Sequence, residues 1–389
     1  MSDSITFQLG PLTVRIEGDH LVTRWAMSTF QSLRSEAPPQ LVFRFVNRPL
    51  KNDHPPRTVG DEHVRVGPDQ LTYRERRYDV RLRAADPMVV DLYQRDRRPL
   101  WLRSLADPEE TWKMWLSHGG SLDVHLLKEF AYTIGPLAIQ CVLLRHGASL
   151  IHAGAVGLGD RGLLLPAWGG VGKSTVVART VLGGGARFLA DDHAAIDTSG
   201  TVHLHLMPIH IYRYHTTQDE TICSCLLSTL TAFDRIQWRL ASMLRPHRVV
   251  RWIGPEDLFG RDRTTRSAAI AEVIVMFRGH SDDFVWEEVD AAAAARPCVG
   301  VILEEINGLA DRLALAGSGW EKPALPDLGE ACQQISRVYE SAFARAHCAR
   351  LLVPHGADGD ALLNFLRPRS PIIREALEAG RSANGHKDS

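Results

Sequence analysis

The sequence predicts an α/β protein with a β-rich N-terminal domain and a helical C-terminal part. Apolar and polar residues alternate in several segments of residues 1–107, which is typical of half-buried strands. From 108 to 148 the apolar residues recur at helical spacing, which predicts a helical bridge. Residues 149–366 mix apolar strands with helical segments, and a glycine-rich loop joins one strand to a helix. Residues 367–389 end in polar residues and are predicted to form a flexible tail.

The composition of the 389-residue chain limits the classes of partner. Lys plus Arg number 45 and Asp plus Glu number 46, so no net field attracts nucleic acid or an anionic membrane. No apolar run reaches the roughly 18 residues that span a bilayer, and the start MSDSITFQLG lacks a secretory pattern. The six cysteines are scattered, without a C-x-x-C pair. We expect a cytoplasmic protein without nucleic-acid or membrane partners, and a homo-oligomer stays open.

The N-terminal domain is predicted from the strand segments LTVRIEG, LVFRFVN and LTYRERRYDVRLRA. The basic run RERRYDVRLR fits an exposed strand face, and a phosphate- or peptide-binding surface is the alternative. Position alone makes this domain a candidate for substrate recognition. In the helical bridge, Trp112 and Trp115 are three residues apart and are expected to pack against a neighbouring domain.

The central region is predicted element by element. SLIHAGAVGL and RGLLLPA predict consecutive strands around the turn GDRG. KSTVVARTVLGGG predicts a helix that ends at glycines, and ARFLADD predicts a further strand. A helical stretch at about 217–246 and a buried strand at AEVIVMF follow. The remainder is predicted to be mostly helical, with ARLLVPHG as a last strand.

The loop before that helix fits the pattern G-x-x-x-x-G-K-[ST], except that its first residue is Ala167. In this pattern backbone N–H groups surround phosphates, the lysine contacts the outer phosphates and the next hydroxyl binds Mg²⁺. A small side chain at Ala167 is compatible with the strand exit if φ stays negative. The strand before and the helix after the loop favour a nucleotide site. The expected nucleotide-binding residues are Gly169, Gly170, Val171, Gly172, Lys173, Ser174 and Thr175.

Two adjacent carboxylates, Asp191 and Asp192, end the strand after this helix. In phosphate-loop proteins this position faces the γ-phosphate and the metal. Adjacent residues of an extended strand point to opposite sides, so the two carboxylates are expected to have different roles. One would hold Mg²⁺ or accept a proton from an attacking hydroxyl, and the other would orient a neighbour. A solvated turn after the strand is the alternative.

The histidines carry weaker signals. His152 lies on the strand that enters this region, where a structural role is the common one. Four further histidines have the spacing of alternating strand positions, and no Cys or carboxylate completes a zinc set with them. We therefore expect no metal site at His203, His205, His210 and His215.

Together these motifs resemble the catalytic domain of HPr kinase/phosphorylase and the wider set of HPr-kinase-like proteins. That family has a strand histidine, then a phosphate loop, then a strand that ends in Leu-x-Ala-Asp-Asp or similar. This chain has IHAGAV, LLLPAWGGVGKST and FLADD in the same order, and the resemblance covers about 150–215. It implies a phosphate-loop kinase core that uses ATP and Mg²⁺.

The resemblance also implies roles for single residues. Lys173 would contact the nucleotide phosphates, and Ser174 would help to hold Mg²⁺ together with an aspartate, Asp191. Asp191 would also be the base that takes the proton from the acceptor hydroxyl. Asp192 would hydrogen-bond to His152 and fix the loop around the base.

Two departures separate the chain from the bifunctional enzymes of that family. Those enzymes usually have a glutamate directly after the loop serine, where this chain has Thr175. They also have a Glu-x-Arg-Gly signature, whose nearest counterpart here is IYRY, with Ile211 in place of the acid and Arg213 in place of the arginine. The reverse phosphorylase reaction and recognition of HPr itself are therefore not expected. Arg213 is a candidate phosphate contact, and an exposed strand arginine is an equal alternative.

The sequence thus predicts an ATP- and Mg²⁺-dependent phosphotransferase that modifies a hydroxyl, with serine of a peptide or small protein as the first candidate. A small metabolite as acceptor would leave all the motifs unchanged. A nucleotide-dependent regulator that hydrolyses ATP without transfer is a second alternative. A third is a degenerate relative in which Ala167 and Trp168 block the site.

Overall fold

The computed structural model describes residues 3–50, 64–67, 69–95, 123–244, 249–306, 308–317 and 325–385. The fold is mixed α/β, with several sheets and helices. The chain forms two compact units. Of the described residues, those within 1–108, 121–150 and 302–337 make up the first unit, and those within 151–301 and 338–389 make up the second. The predicted pair Trp112 and Trp115 lies outside the described residues.

The first unit contains a seven-stranded sheet in the order β1-β2-β3-β7-β6-β5-β4. The β2–β3 and β3–β7 pairs are parallel, and the remaining pairs are antiparallel. The strands predicted from LTVRIEG, LVFRFVN and LTYRERRYDVRLRA are present in it. Its strands are β1 (Ser4–Leu9), β2 (Leu12–Glu17), β3 (Leu41–Phe45), β4 (Val64–Val66), β5 (Gln70–Arg74), β6 (Tyr78–Arg83) and β7 (Met88–Gln94).

Helices of the first unit include α1 (Leu21–Thr29), α2 (Asp123–Glu129) and α3 (Gly135–Arg145), with a 3₁₀ turn at Gln31–Leu33 and a π-helical turn at Phe130–Ile134 between α2 and α3. The span Leu126–Arg145 is long and apolar enough to cross a membrane, but 67% of it is buried inside the protein. Burial of this extent is typical of a core helix.

The second unit is built on a mixed sheet in which β11, β9, β10, β16, β13 and β12 are neighbours in that order, and β18 pairs with both β16 and β17. A separate two-stranded sheet consists of β14 and β15. The strands are β9 (Ala153–Leu158), β10 (Arg161–Pro166), β11 (Arg187–Ala190), β12 (Ala194–Asp197), β13 (Thr201–His203), β14 (Ile209–Tyr212), β15 (Val250–Ile253), β16 (Ser267–Gly279), β17 (Val285–Glu288) and β18 (His347–Pro354).

The directions of three strands bring the start of β9 and the segments that follow β10 and β11 to one edge of this sheet. Strand β9 is antiparallel to both β10 and β11, so β10 and β11 run in the same direction. The C-terminal ends of β10 and β11 therefore lie at the edge where β9 begins. In α/β sheets the carboxyl ends of strands are the usual place for ligand sites. The glycine-rich loop follows β10 and the acidic pair follows β11 at this edge.

Within the described residues, the boundaries between the two units fall in three elements, which are strand β8 (Ala148–Ile151) and helices α9 (Ala291–Glu305) and α11 (Leu328–Phe343). The remaining helices are α4 (Lys173–Leu182), α5 (Arg213–Gln218), α6 (Glu220–Thr229), α7 (Ala232–Leu244), α8 (Pro255–Phe259), α10 (Leu309–Gly317), α12 (Gly359–Leu366) and α13 (Pro371–Gly385), with a 3₁₀ turn at Arg261–Arg263. The predicted catalytic range 149–366 thus contains residues 302–337, which belong to the first unit.

The segment 367–389, predicted to be a flexible tail, contains helix α13 instead. Ile372, Ile373 and Ala376 of this helix are fully buried. The buried Glu272 carboxylate accepts hydrogen bonds from Ser370 Oγ (2.5 Å) and Ile372 N (3.0 Å), so it satisfies donors at the start of the helix. An apolar face and a cap therefore order this segment.

Candidate active site

The loop 167–172 leaves strand β10 and ends where helix α4 begins at Lys173. Gly170 has φ 77°, and Gly172, the residue before the helix, has φ 116°. Residues with a Cβ rarely adopt these conformations. A Cβ added to Gly172 would also lie 2.8 Å from Leu362 Cδ2, whereas one added to Gly169 or Gly170 would meet nothing within 4 Å. The glycines therefore give the turn its shape and leave its outer side open.

Ala167 is compatible with this loop. Its side chain is buried, its N–H donates to the carbonyl of His152 (3.4 Å), and it forms a parallel bridge with Met276. Its φ is not positive, as the sequence argument requires. Trp168 is 41% exposed, so it turns outward. Ala167 thus extends the pairing of β10 rather than obstructing the loop.

Lys173 is buried and folds back over its own loop. Its Nζ donates to the carbonyls of Ala167 (2.7 Å) and Trp168 (3.0 Å), and lies 2.8 Å from His152 Nε2. An ammonium group has three N–H donors, so these contacts engage all three. The lysine is thereby held at the centre of the loop.

His152 occupies the one-residue break between β8 and β9, where the sequence predicts a continuous strand. Burial lowers the pKa of His152 to about 2, and the positive charge of Lys173 adds to the effect. The imidazole is therefore neutral, and its Nε2 accepts a hydrogen from Lys173 Nζ. The ring proton then belongs on Nδ1, which lies 3.5 Å from Asp192 Oδ1. This is the neighbour that the resemblance implies for His152.

Ser174 and Asp191 form the polar pair nearest to the loop. Ser174 Oγ donates to Asp191 Oδ1 over 3.0 Å. Asp191 is 3% exposed, and burial together with the charge of Asp192 raises its pKa to about 6. A carboxylate with a pKa near neutrality can take up a proton at physiological pH.

Asp192 does not continue the strand as the sequence predicts, because its φ is 77°, in the left-handed region. The backbone turn directs its side chain between two imidazoles, 3.5 Å from His152 Nδ1 and 3.8 Å from His193 Nδ1. Burial opposes ionisation of Asp192, but these neighbours stabilise the carboxylate and hold its pKa below its usual value. The two aspartates thus differ in environment, one poised to accept a proton and the other ionised.

These residues line one cleft with about 100 Å³ of space that water can enter. Its lining residues are His152, Gly169, Gly170, Gly172, Lys173, Ser174, Asp191, Asp192, His210, Tyr212, Tyr214 and His215. The structure therefore brings together the predicted catalytic residues and most of the predicted nucleotide-binding residues.

Three predicted residues have other surroundings. Val171 is 2% exposed. A Cβ added to Gly359 would lie 2.5 Å from Thr175 Cγ2, so Thr175 packs against Gly359. Arg213 is the first residue of α5, and its neighbours Tyr212 and Tyr214 line the cleft rather than Arg213 itself.

Part of the cleft wall is aromatic, and the sequence analysis did not identify it. The rings of Tyr212 and Tyr214 stack with centroids 5.5 Å apart and an angle of 9° between their planes. The ring centroids of Tyr214 and His215 are 4.2 Å apart. Burial raises the pKa of Tyr214 to about 12, and Tyr212 and Asp191 add to the shift. The signal in the sequence is the run HIYRYH, in which the rings of His210, Tyr212 and Tyr214 recur at every second position.

The four histidines at 203–215 have separate surroundings. His203 Nε2 pairs with Asp197 (2.7 Å), and His205 Nδ1 lies 2.8 Å from the carbonyl of His193. In the part of the chain that the structure describes, no group of three or more His, Cys, Asp or Glu could hold a metal ion.

Comparison with known proteins adds little to this geometry. No protein-family model matches the chain, and a search of curated proteins found no match. Among solved structures, the chain is similar to the HPr(Ser) kinase/phosphatase from Coxiella burnetii, with 12% identity and a TM-score of 0.22. That similarity covers 36% of this chain and 77% of the other. With values this low, the site has to be interpreted from its own residues.

Proposed function

We propose that the chain is an ATP- and Mg²⁺-dependent phosphotransferase that modifies a hydroxyl group, with serine of a peptide or small protein as the acceptor. The observation that carries the proposal is the Ser174–Asp191 pair, 3.0 Å apart, beside a glycine loop that leads into a helix. Backbone N–H groups at a helix N-terminus favour phosphate. A buried carboxylate with a raised pKa next to them favours proton transfer from an acceptor.

The residues fit Mg²⁺ as it binds with nucleotides. Mg²⁺ usually takes only one or two protein ligands and completes its shell with phosphates and water. Ser174 Oγ and Asp191 Oδ1 offer two such oxygens close together. When bound, Mg²⁺ would neutralise phosphate charge. Lys173 would hold the outer phosphates by replacing hydrogen bonds that its Nζ now makes to the loop carbonyls and to His152.

In this scheme Asp191 accepts the proton of the acceptor hydroxyl. The hydroxyl oxygen forms a bond to the γ-phosphorus, and the bond from that phosphorus to the bridging oxygen of the leaving ADP breaks. His152 and Asp192 act on the loop as positioning residues, because His152 Nε2 contacts Lys173 Nζ and Asp192 lies near His152 Nδ1. Positioning and charge stabilisation supply most of the rate in phosphoryl transfer.

The aromatic wall favours a polypeptide over a small metabolite as the acceptor. Tyr212 is 36% exposed and Tyr214 is 46% exposed, so this part of the cleft wall faces solvent. A metabolite kinase would be expected to enclose its acceptor in a pocket that buries most of its surface. An open wall gives an extended chain a path to Asp191.

Intact-mass spectrometry tests the proposal directly. The full chain is incubated with Mg-ATP and candidate peptides or small proteins, beside the variant Asp191→Asn. We expect a phosphate-sized mass gain on a polypeptide with the wild type and none with the variant. ATP turnover without a modified polypeptide would contradict the polypeptide acceptor. It would favour a metabolite kinase or a regulator.

Nucleotide binding is measured separately by thermal unfolding. Mg-ATP at about 100 times its Kd should stabilise both wild type and Asp191→Asn by roughly 2.7 kcal/mol, whereas Lys173→Ala should lose the effect. The exposed variant Asp282→Asn, which removes one carboxylate far from the loop in sequence, serves as the control. No stabilisation of the wild type would favour a degenerate site, despite the accommodated Ala167.

A further inference from the structure

Helix α7 exposes a row of large apolar side chains. Phe233 is 65% exposed, Ile236 68%, Leu240 42% and Met243 80%. Their spacing of three, four and three residues places them on one face of the helix, and we call them the α7 stripe. Exposed apolar side chains that lie side by side and are rimmed by polar residues are a feature of interaction sites.

The α7 stripe is not the face by which the helix packs onto the protein. That face consists of Gln237, Trp238 and Ala241, which are buried. The guanidinium of the buried Arg251 lies 4.9 Å from the centre of the Trp238 ring and donates to Gln237 Oε1. The helix therefore has one anchored face and, separate from it, a second apolar face on which Ile236, Leu240 and Met243 are exposed.

The anchor of α7 belongs to the same two-stranded sheet as the aromatic wall of the cleft. In this sheet Arg251 of β15 is paired with Ile211 of β14. Alternate residues of a strand point to opposite sides. His210 and Tyr212, on either side of Ile211, line the cleft. One side of the sheet therefore contributes to the cleft and the other side supports α7.

Size and charge identify the occupant of the stripe. Thirteen helical residues are roughly 20 Å long and present a strip about 10 Å wide, far less than the roughly 800 Å² that each partner buries in a stable dimer. Such a strip suits one short amphipathic helix. The exposed Arg235 and Arg239 lie four residues apart along one flank, and Arg235 Nε donates to the carbonyl of Leu227 (2.7 Å), which leaves its positive charge in place. Asp234 is the one carboxylate of the helix and is half-buried, so the flank has a net positive charge. Charge complementarity therefore calls for acidic residues on the partner.

We propose that the α7 stripe is a docking surface for a short, acidic, amphipathic helical segment of the acceptor polypeptide. This inference rests on the proposed phosphotransfer to a polypeptide, and it separates the docking segment from the phosphorylated hydroxyl. Docking on one side of the β14–β15 sheet would raise the local concentration of the acceptor near Asp191.

The test is fluorescence anisotropy with the full chain and a labelled helical peptide. The peptide has leucines at three- and four-residue spacing and glutamates beside them, and a second peptide has lysines in place of the glutamates. We expect the Kd of the acidic peptide to be lower than that of the basic peptide by a factor of about ten or more. We expect Arg239→Glu to reverse this preference. The double variant Ile236→Ser with Met243→Ser should weaken binding of the acidic peptide by about ten-fold or more.

Val285→Ser is the matched control, since Val285 is 51% exposed in the same unit but lies outside the stripe. It should bind the acidic peptide as the wild type does. Equal binding of both peptides, or binding unchanged by the double variant, would overturn the proposal. Self-association that the double variant abolishes, with no peptide binding, would instead assign the stripe to a second copy of the chain.

Peptide binding is measured without nucleotide, and stabilisation by Mg-ATP is measured without peptide. A failure of docking is therefore distinguishable from a failure of the proposed function. The variants at Ile236, Met243 and Arg239 should keep the melting temperature and the Mg-ATP stabilisation of the wild type, because these three side chains are exposed and do not line the cleft.

Discussion

Asp191 is expected to lower the stability of the folded chain at neutral pH. Its pKa is raised from an ordinary 3.8 to about 6, so folding favours the protonated carboxyl. The protonated carboxyl therefore contributes its full stabilisation below the ordinary pKa of 3.8, and this contribution is lost as the pH rises through about 6. In metal-free buffer, Asp191→Asn should raise the free energy of unfolding at pH 8 by roughly 1–3 kcal/mol. Urea unfolding of the wild type and the variant, with a chelator present, measures this free energy at pH 8 and at pH 4.

The pH dependence separates this effect from ordinary changes in packing. The gain from Asp191→Asn should shrink towards pH 4, where the wild-type carboxyl is itself protonated and the amide resembles it. An equal gain at both pH values would show that relief of charge is not the cause. Asp282→Asn, on the surface, should change the stability little at either pH.

At the residue scale, the spacing of a short motif predicted most of the cleft. The positions of Lys173, Ser174 and Asp191 after β10 and β11 are apparent in the sequence. They lie together in the structure because β10 and β11 run in the same direction. The left-handed turn at Asp192 was not predictable, since the alternation rule assumes an extended chain. The stacked Tyr212 and Tyr214 were missed because aromatic residues at strand spacing are usually core residues.

At the scale of the loop and its helix, Gly172 is the position that tolerates change least. Its φ of 116° disfavours any Cβ, and a Cβ there would lie 2.8 Å from Leu362 Cδ2. Gly172→Ala should therefore destabilise the chain by about 1–2 kcal/mol or more and remove stabilisation by Mg-ATP. Thermal unfolding with and without Mg-ATP gives both quantities.

Gly169→Ala is the matched control in the same loop, since an added methyl group there meets nothing within 4 Å and φ is not positive. It should keep the melting temperature of the wild type. Equal losses in Gly169→Ala and Gly172→Ala would mean that backbone conformation at Gly172 is not the cause.

Element boundaries were less predictable than element types. The helical stretch at 217–246 is divided into α5, α6 and α7, and the divisions coincide with capping residues. Asp219 Oδ1 accepts from the backbone of Thr221 (2.9 Å) and Ile222 (3.0 Å), and Thr231 Oγ1 accepts from Asp234 N (3.2 Å). Asp and Thr at these positions are typical starts of helices. The break of one strand into β8 and β9 at His152 has no comparable signal.

At the scale of the whole molecule, the unit that contains the predicted catalytic residues is not continuous in the sequence. Residues 302–337 belong to the first unit, where Arg312 bonds to Glu75 (3.2 Å) and lies over the Tyr73 ring (4.6 Å). The fragment 151–389 would expose apolar side chains of that segment, among them the buried Leu309 and Leu313. We expect it to aggregate or to lack cooperative unfolding, as circular dichroism on heating would show.

A fragment 151–389 that unfolds cooperatively at the melting temperature of the full chain would contradict this expectation. Periodicity could not have revealed the interleaving of the two units. It indicates which face of a helix is apolar, but not which distant part of the chain covers that face. The same limit explains why α13 was taken for a tail, because the buried Glu272 that caps it lies about 100 residues earlier.

The three engaged donors of Lys173 have a consequence for the energetics of ligand exchange. If the loop binds nucleotide as proposed, an incoming phosphate oxygen replaces a partner that the lysine already has, so the affinity is the difference between two sets of hydrogen bonds. The carbonyls of the loop hold the Lys173 ammonium group by themselves. When a product phosphate leaves, these carbonyls would take its place as hydrogen-bond acceptors of the lysine. Substitutions at His152 could therefore adjust product release without touching any group that contacts the nucleotide.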